Sequence, residues 1–279
     1  MPTIQYRLLN VFAETSFGGN PLAVIEDGSA LTDAEMQLIA RQFNLSETTF
    51  LLPSDQAAAR IRIFTPTYEM AFAGHPTLGS AQVVSDLLGA GKQFKIEMQA
   101  GLIPVWADND RWTLAANPPK YRAMQASTSE LAAMLNLPAE AISGPVVWVD
   151  CGTEQPMIPL TNAEYVQACR PDAALMARFS KNLNGQAKTY VFASTGAGFE
   201  ARYFWMTGDS SVNEDPGTGS ACANLGGWWL ATNGSEPLDV IIHQARSINR
   251  PSLLSLKVDQ GHIQVGGRVI QIGGGSLSW

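Results

Sequence analysis

The sequence predicts an α+β protein of two pseudo-symmetric lobes, each a curled, mainly antiparallel sheet wrapped on one central helix. Three observations carry this: the chain matches itself at a fixed offset, one order of elements occurs twice, and short strand-like stretches outnumber helical ones. At an offset of 140, residues 41–81 align without gaps to 181–221. Eleven of those 41 positions are identical, among them Asn44/Asn184, Thr49/Thr189, Arg62/Arg202, Phe64/Phe204, Pro76/Pro216 and Gly79-Ser80-Ala81/Gly219-Ser220-Ala221. Ordinary residue frequencies give about two or three by chance. Conservative pairs such as Phe50/Tyr190 fill the gaps, so duplication is the reading.

Apolar residues at helical spacing predict a helix over 32–43 (Met36, Ile39, Ala40, Phe43), repeated over 173–183 (Leu175, Met176, Phe179, Leu183). Two strand-like stretches follow each, at 49–52 and 60–64 in the first half and at 189–193 and 199–205 in the second. A Pro/Gly turn then leads into an apolar helix, 76–89 and 217–231. Further strands are expected at 92–107 and 111–116, and at 238–243, 253–258 and 262–272. Asn117-Pro-Pro-Lys120 is the natural hinge. It gives an N-terminal lobe of 1–118, completed by a returning strand at about 268–279, and a C-terminal lobe of 119–267.

Composition excludes several classes of function. With 46% hydrophobic and 15% charged residues there is ample material for a core. A net charge of −7 without a Lys/Arg cluster argues against nucleic acid. Three cysteines (Cys151, Cys169, Cys222) and three histidines share no ligand spacing, so no metal site is indicated. Gly273-Gly-Gly275 lacks the following helix that a phosphate loop requires. No secretory signal and no membrane-spanning run is visible, so a soluble cytoplasmic protein is expected.

The closest repeat sets His75-Pro-Thr-Leu-Gly-Ser-Ala81 against Asp215-Pro-Gly-Thr-Gly-Ser-Ala221, each read as a helix start with Asp215 as N-cap and Pro216 at the first helical position. Two such helices related by a pseudo-twofold would aim their amide ends at one point and favour a carboxylate there. Differences at matched positions are informative, because duplicates that only pack should stay alike. Glu47 faces Ala187, His75 faces Asp215, and Gly74 faces Glu214. Glu47 and Asp215 are therefore candidates for acid/base chemistry, against the blander readings of a solvated Glu and a simple cap. His75 is either catalytic or a structural histidine bonded to backbone. Thr218 and Ser220 are cap hydroxyls, substrate donors, or both.

Asn10-Val-Phe, Phe17-Gly-Gly-Asn-Pro21, Asn44-Leu-Ser-Glu-Thr48, Phe64-Thr-Pro-x-x-Glu-Met70, Ala73-Gly-His-Pro-Thr77 and Glu214-Asp-Pro-Gly-Thr-Gly-Ser220 together resemble the PhzF-like (phenazine biosynthesis) family, in the family's order over nearly the whole chain. The resemblance implies a diaminopimelate-epimerase-like fold with its active site in the cleft between the lobes, commonly as a homodimer, without metal or organic cofactor. It implies Glu47 as general acid/base, and Gly74, His75, Asp215 and Ser220 at the site; Gly217, Thr218 and Gly219, in the same run, are expected to bind substrate with them. Related racemases place a cysteine at the head of each central helix. Here the heads read Gly74-His75-Pro76 and Asp215-Pro216-Gly217 without a thiol, which points to a one-base site.

The function expected is a cofactor-independent isomerase of a small carboxylate-bearing metabolite, moving a proton along one face with Glu47. A carboxylate-binding protein of the same fold without turnover is the alternative. A hydrolase or lyase is a third reading, for which Ser220 lacks a sequence-adjacent base.

Overall fold

The computed structural model describes residues 3–208 and 211–279. The chain divides into two units, Met1–Ala115 with Val265–Trp279, and Ala116–Gln264. Among the described residues strands far outnumber helices, and no helix is long and apolar enough to cross a membrane.

The first unit runs β1 (Thr3–Val11), β2 (Asn20–Ile25), α1 (Asp33–Phe43), β3 (Thr48–Leu52), β4 (Ala59–Phe64), β5 (Glu69–Met70), α2 (Gly74–Leu88), β6 (Gln93–Met98), β7 (Gly101–Asp108) and β8 (Arg111–Ala115). The second runs β9 (Lys120–Ala123), α3 (Thr128–Met134), β10 (Val147–Asp150), β11 (Glu154–Pro159), α4 (Ala163–Ala168), α5 (Ala173–Phe179), β12 (Lys188–Ser194), β13 (Gly198–Thr207), β14 (Ser211–Asp215), α6 (Gly219–Asn233), β15 (Leu238–Gln244) and β16 (Ser252–Asp259). β17 (His262–Ser278) starts in the second unit and continues in the first, where it lies antiparallel to β1.

In the first unit β1, β2, β3, β4, β6, β7, β8 and β17 close into a ring, so none of these eight strands leaves a bare edge. α2 packs on β1, β2, β3, β4 and β8 and is buried without a break from Gly74 to Ala81. Gly79 is required by that packing, since a Cβ there would sit 2.5 Å from the Leu22 side chain. α1 covers the other face of β3 and β4, burying Met36, Ile39 and Ala40 against Ile25, Phe50 and Phe64. Its start is fixed by a capping box in which Thr32 and Glu35 satisfy each other's backbone N–H groups.

The second unit repeats the pairing scheme. β11–β12 is parallel like β2–β3, β12–β13 antiparallel like β3–β4, and β13–β15 parallel like β4–β6. α6 packs on β10, β11 and β16. The helices α3, α4 and α5 bury Leu131, Met134, Val166 and Met176 against Ile158, Val191 and Phe204.

The repeat register is not uniform, which corrects the single offset read from sequence. Arg62 holds Glu69 with two hydrogen bonds (2.8 and 2.7 Å), and Arg202 holds Glu214 the same way (3.0 and 2.7 Å). Phe64 pairs with Glu69 and Phe204 with Glu214 across their hairpins. Arg62 and Arg202 obey the offset of 140, whereas Glu69 and Glu214 are 145 apart. Four residues separate Phe64 from Glu69, and nine separate Phe204 from Glu214. α2 and α6 keep the new offset: each has 15 residues and each ends at a glycine, Gly89 and Gly234. The aligned Pro76/Pro216 and Gly79-Ser80-Ala81/Gly219-Ser220-Ala221 therefore do not occupy equivalent places.

Local boundaries shift for physical reasons. The helix expected to 183 stops at Ser180, whose hydroxyl bonds the Met176 carbonyl, and Lys181 then bridges to Ala187. The stretch 92–107 is a hairpin, turning between Met98 and Gly101.

Candidate active site

Glu47 stands between α1 and β3. α1 ends at Asn44 in the left-handed conformation (φ 52°), and the chain re-enters the sheet at Thr48. Glu47 is partly buried, and its Oε2 lies 3.5 Å from Nε2 of His75. His75 is the second residue of α2 and is almost wholly enclosed. Burial pushes its pKa down to about 3, although a bond to the Pro21 backbone acts in the opposite sense. Proline offers only a carbonyl, and Nε2 makes no hydrogen bond, so it is Nδ1–H that donates to Pro21. The tautomer is thereby fixed: His75 is neutral and turns a bare nitrogen lone pair towards the Glu47 carboxyl. The 3.5 Å contact is thus no ion pair. It is a place for one proton between two acceptors.

The second unit presents a different head. Asp215 ends β14, opposite Tyr203, and is not the N-cap expected from sequence; α6 begins at Gly219 with Thr218 as N-cap. The reason is the longer hairpin, which moves the helix start by five residues. Thr218 Oγ1 donates to Asp215 Oδ2, and Gln244 Nε2 donates to both Thr218 Oγ1 (3.0 Å) and the Asp215 carbonyl (2.9 Å). Gly217 and Thr218 are buried in this turn and Gly219 opens the helix, while Ser220 is partly exposed. Neither α2 nor α6 has a side-chain cap, so nothing on their own N-cap residues competes for the first-turn N–H groups.

A second buried amide chain ends at Ser220. The Cys151 N–H donates to Asn224 Oδ1 (2.8 Å), so Asn224 Nδ2 must donate, to the Thr153 carbonyl and to Gln155 Oε1 (both 2.8 Å). Gln155 Nε2 is then the donor to Ser220 Oγ (3.1 Å). Because Ser220 accepts here, its own proton is left to be given elsewhere.

In the corrected register the helix heads are Gly74-His75 and Gly219-Ser220. His75 corresponds to Ser220 rather than to Asp215, Gly74 to Gly219 rather than to Glu214, and Asp215 to Met70, which pairs with Ile63 as Asp215 pairs with Tyr203. The structure brings Glu47 to His75 in one unit, and Asp215 to Thr218 in the other. Gln155, Asn224 and Gln244 are absent from the sequence reading. Their only signal is an amide in an otherwise apolar stretch.

A sequence model of the phenazine biosynthesis-like protein family matches residues 9–277. The chain belongs to that family. It is 40% identical over 276 residues to an uncharacterized isomerase of Pasteurella multocida, covering 98% of this chain and 93% of that one. It is 30% identical over 291 residues to a trans-2,3-dihydro-3-hydroxyanthranilate isomerase of Pseudomonas fluorescens, covering 98% and 99%. Among solved structures, a PhzF-family protein of Bacillus anthracis superposes with a TM-score of 0.88 over the whole of both chains at 22% identity, a likeness of fold. This phenazine biosynthesis-like protein is an isomerase. Cys222 lies in the first turn of α6, but burial pushes Cys151 and Cys169 up to about 12 and Cys222 higher still, so none is an available thiolate near neutral pH.

Proposed function

We propose that this isomerase moves one proton within a small carboxylate-bearing metabolite, cyclic or amino acid-like, with Glu47 as the single acid/base. The observation that carries the reading is the Glu47–His75 contact of 3.5 Å against a fixed nitrogen lone pair. A carboxyl group that must first take a proton from carbon and then return it needs a neighbour that tolerates both states. Neutral His75 accepts a hydrogen bond from the protonated acid and carries no charge to trap the carboxylate.

The second unit carries groups suited to the same class of ligand. Ser220 offers a hydroxyl proton, and the uncapped N–H groups of a helix start favour an anion. Asp215 carries a second carboxyl, an acceptor that would shape the proton's path while Glu47 alone makes the transfer. The Pseudomonas fluorescens relative is named for a substrate that is itself a cyclic carboxylate, which agrees with this class.

The test is a screen of small cyclic and amino carboxylates, trans-2,3-dihydro-3-hydroxyanthranilate among them, incubated with the protein in heavy water. The expected result is a product of unchanged composition that carries solvent deuterium on carbon. A product that has gained or lost water overturns the isomerase mechanism, and label uptake that survives Glu47→Gln unchanged overturns the role of Glu47.

A further inference from the structure

The last residues of β6 and β15 occupy equivalent places. β4 pairs in parallel with β6 as β13 does with β15, and the shared register carries Ile96 onto Ile242 and Met98 onto Gln244. Both side chains are buried, at 5% and 0% exposure. A thioether serves in one unit, whereas the other has a fully buried amide, and a buried amide is retained only with its partners satisfied.

Those partners lie in the turn that carries Asp215. The Thr218 N–H donates to Gln244 Oε1 (3.3 Å), so the amide cannot flip, and Nε2 is held as donor to the Asp215 carbonyl and to Thr218 Oγ1. With one lone pair of Oγ1 taken by Gln244, the Thr218 hydroxyl gives its proton to Asp215 Oδ2. A backbone N–H at one end thus sets the direction of the amide, and the carboxylate at the other end, an acceptor only, takes the hydroxyl proton.

We propose that Gln244 is a positioning residue of this enzyme: by donating to Thr218 Oγ1 it biases that hydroxyl to give its proton to Asp215, and so holds the carboxyl as an acceptor, oriented for proton traffic. The inference rests on the reading of Asp215 given under the proposed function. Its counterpart Met98 supplies the natural control, because Gln244→Met installs a side chain that the fold already accommodates at this register.

Two measurements test it. The first needs no substrate. In full-length protein labelled with [γ-13C]aspartate, the Asp215 carboxyl resonance is titrated in wild type, Gln244→Met and Gln244→Glu. Relieved of the Gln244 donor, the hydroxyl accepts more readily from a protonated carboxyl, so both variants are expected to move the Asp215 titration to higher pH. An unmoved Asp215 titration overturns the proposal. The second uses the carboxylate with the fastest label uptake in the heavy-water screen. Gln244→Met is expected to lower kcat by about tenfold to a hundredfold with KM changed less than about threefold. In an Asp215→Asn background the same change is expected to have less than about a twofold effect. Equal losses in both backgrounds overturn the role of Gln244 while leaving Asp215 in place. Wild-type turnover by Asp215→Asn alone overturns the reading of Asp215 instead.

Discussion

His75 and Glu47 meet through atoms that are both acceptors: Nε2 faces Oε2 at 3.5 Å, and the ring proton is already committed to the Pro21 carbonyl. One consequence concerns acid stability. The unfolded imidazole takes its proton near 6.5, whereas the folded one resists it to about 3. The stability of the native state attributable to His75 is therefore complete above pH 6.5 and declines as pH falls towards 3. The slope is about 1.4 kcal/mol per pH unit within that window. Urea unfolding at pH 4, 5 and 7 should show His75→Gln losing less stability on acidification than wild type, by roughly one proton's worth. Equal slopes would contradict a neutral, buried His75.

The two duplicated ion pairs should differ in weight. Arg202 and Glu214 are 6% and 8% exposed, and Arg202 also bonds the carbonyls of Val166, Gln167 and Cys169. Arg62 and Glu69 are 15% and 20% exposed, and the further partner Asp33 lies largely in solvent. Arg202→Met strands a buried carboxylate and three carbonyls, and should cost about 3–5 kcal/mol. Arg62→Met should cost clearly less, on the order of 1–2 kcal/mol. Chemical denaturation of the two variants decides the order, and the reverse order would refute the burial argument.

Ser220 is held as an acceptor by Gln155, so its proton is available to an anion. Ser220→Ala should raise KM about tenfold to a hundredfold on the carboxylate found by the heavy-water screen, as expected for losing a hydrogen bond to a charged group. kcat should change much less. Steady-state kinetics at fixed pH make the comparison, and an unchanged KM would remove Ser220 from substrate binding.

Gly79 brings α2 against β2 with no room for a Cβ beside Leu22. Gly79→Val should destabilise by about 1–3 kcal/mol through overpacking, read as a lower denaturation midpoint. Wild-type stability would show that α2 sits further from the barrel wall.

What the sequence made legible follows from where the duplication is strict. Arg62/Arg202 and Phe64/Phe204 hold their offset because each Arg must reach a Glu across the same hairpin and lie over the same ring. Glu47 stood out because the offset of 140 sets it against Ala187; the strand registers instead make Lys188 its counterpart, which is equally unlike a carboxylate. The helix heads were misaligned because the β13–β14 hairpin carries five extra residues, and the run Gly79-Ser80-Ala81 happens to match Gly219-Ser220-Ala221 at the old offset. A short coincidence of small residues outweighed a length change that leaves no mark of its own. Gln155 and Gln244 were illegible for another reason. An amide in a strand reads as a solvent-facing residue until the register shows that it points inwards, at the places held by Leu22 and Met98 in the other half.

The central claim is that one carboxyl moves the proton. The direct measurement is the rate of solvent-deuterium transfer to carbon by Glu47→Gln, on the carboxylate with the fastest uptake in the wild-type protein, with thermal unfolding as a check on the fold. The account predicts a native fold and a rate reduced by about 10²–10⁴-fold, the usual worth of general acid/base catalysis. A folded Glu47→Gln protein transferring label within about tenfold of wild type would contradict it.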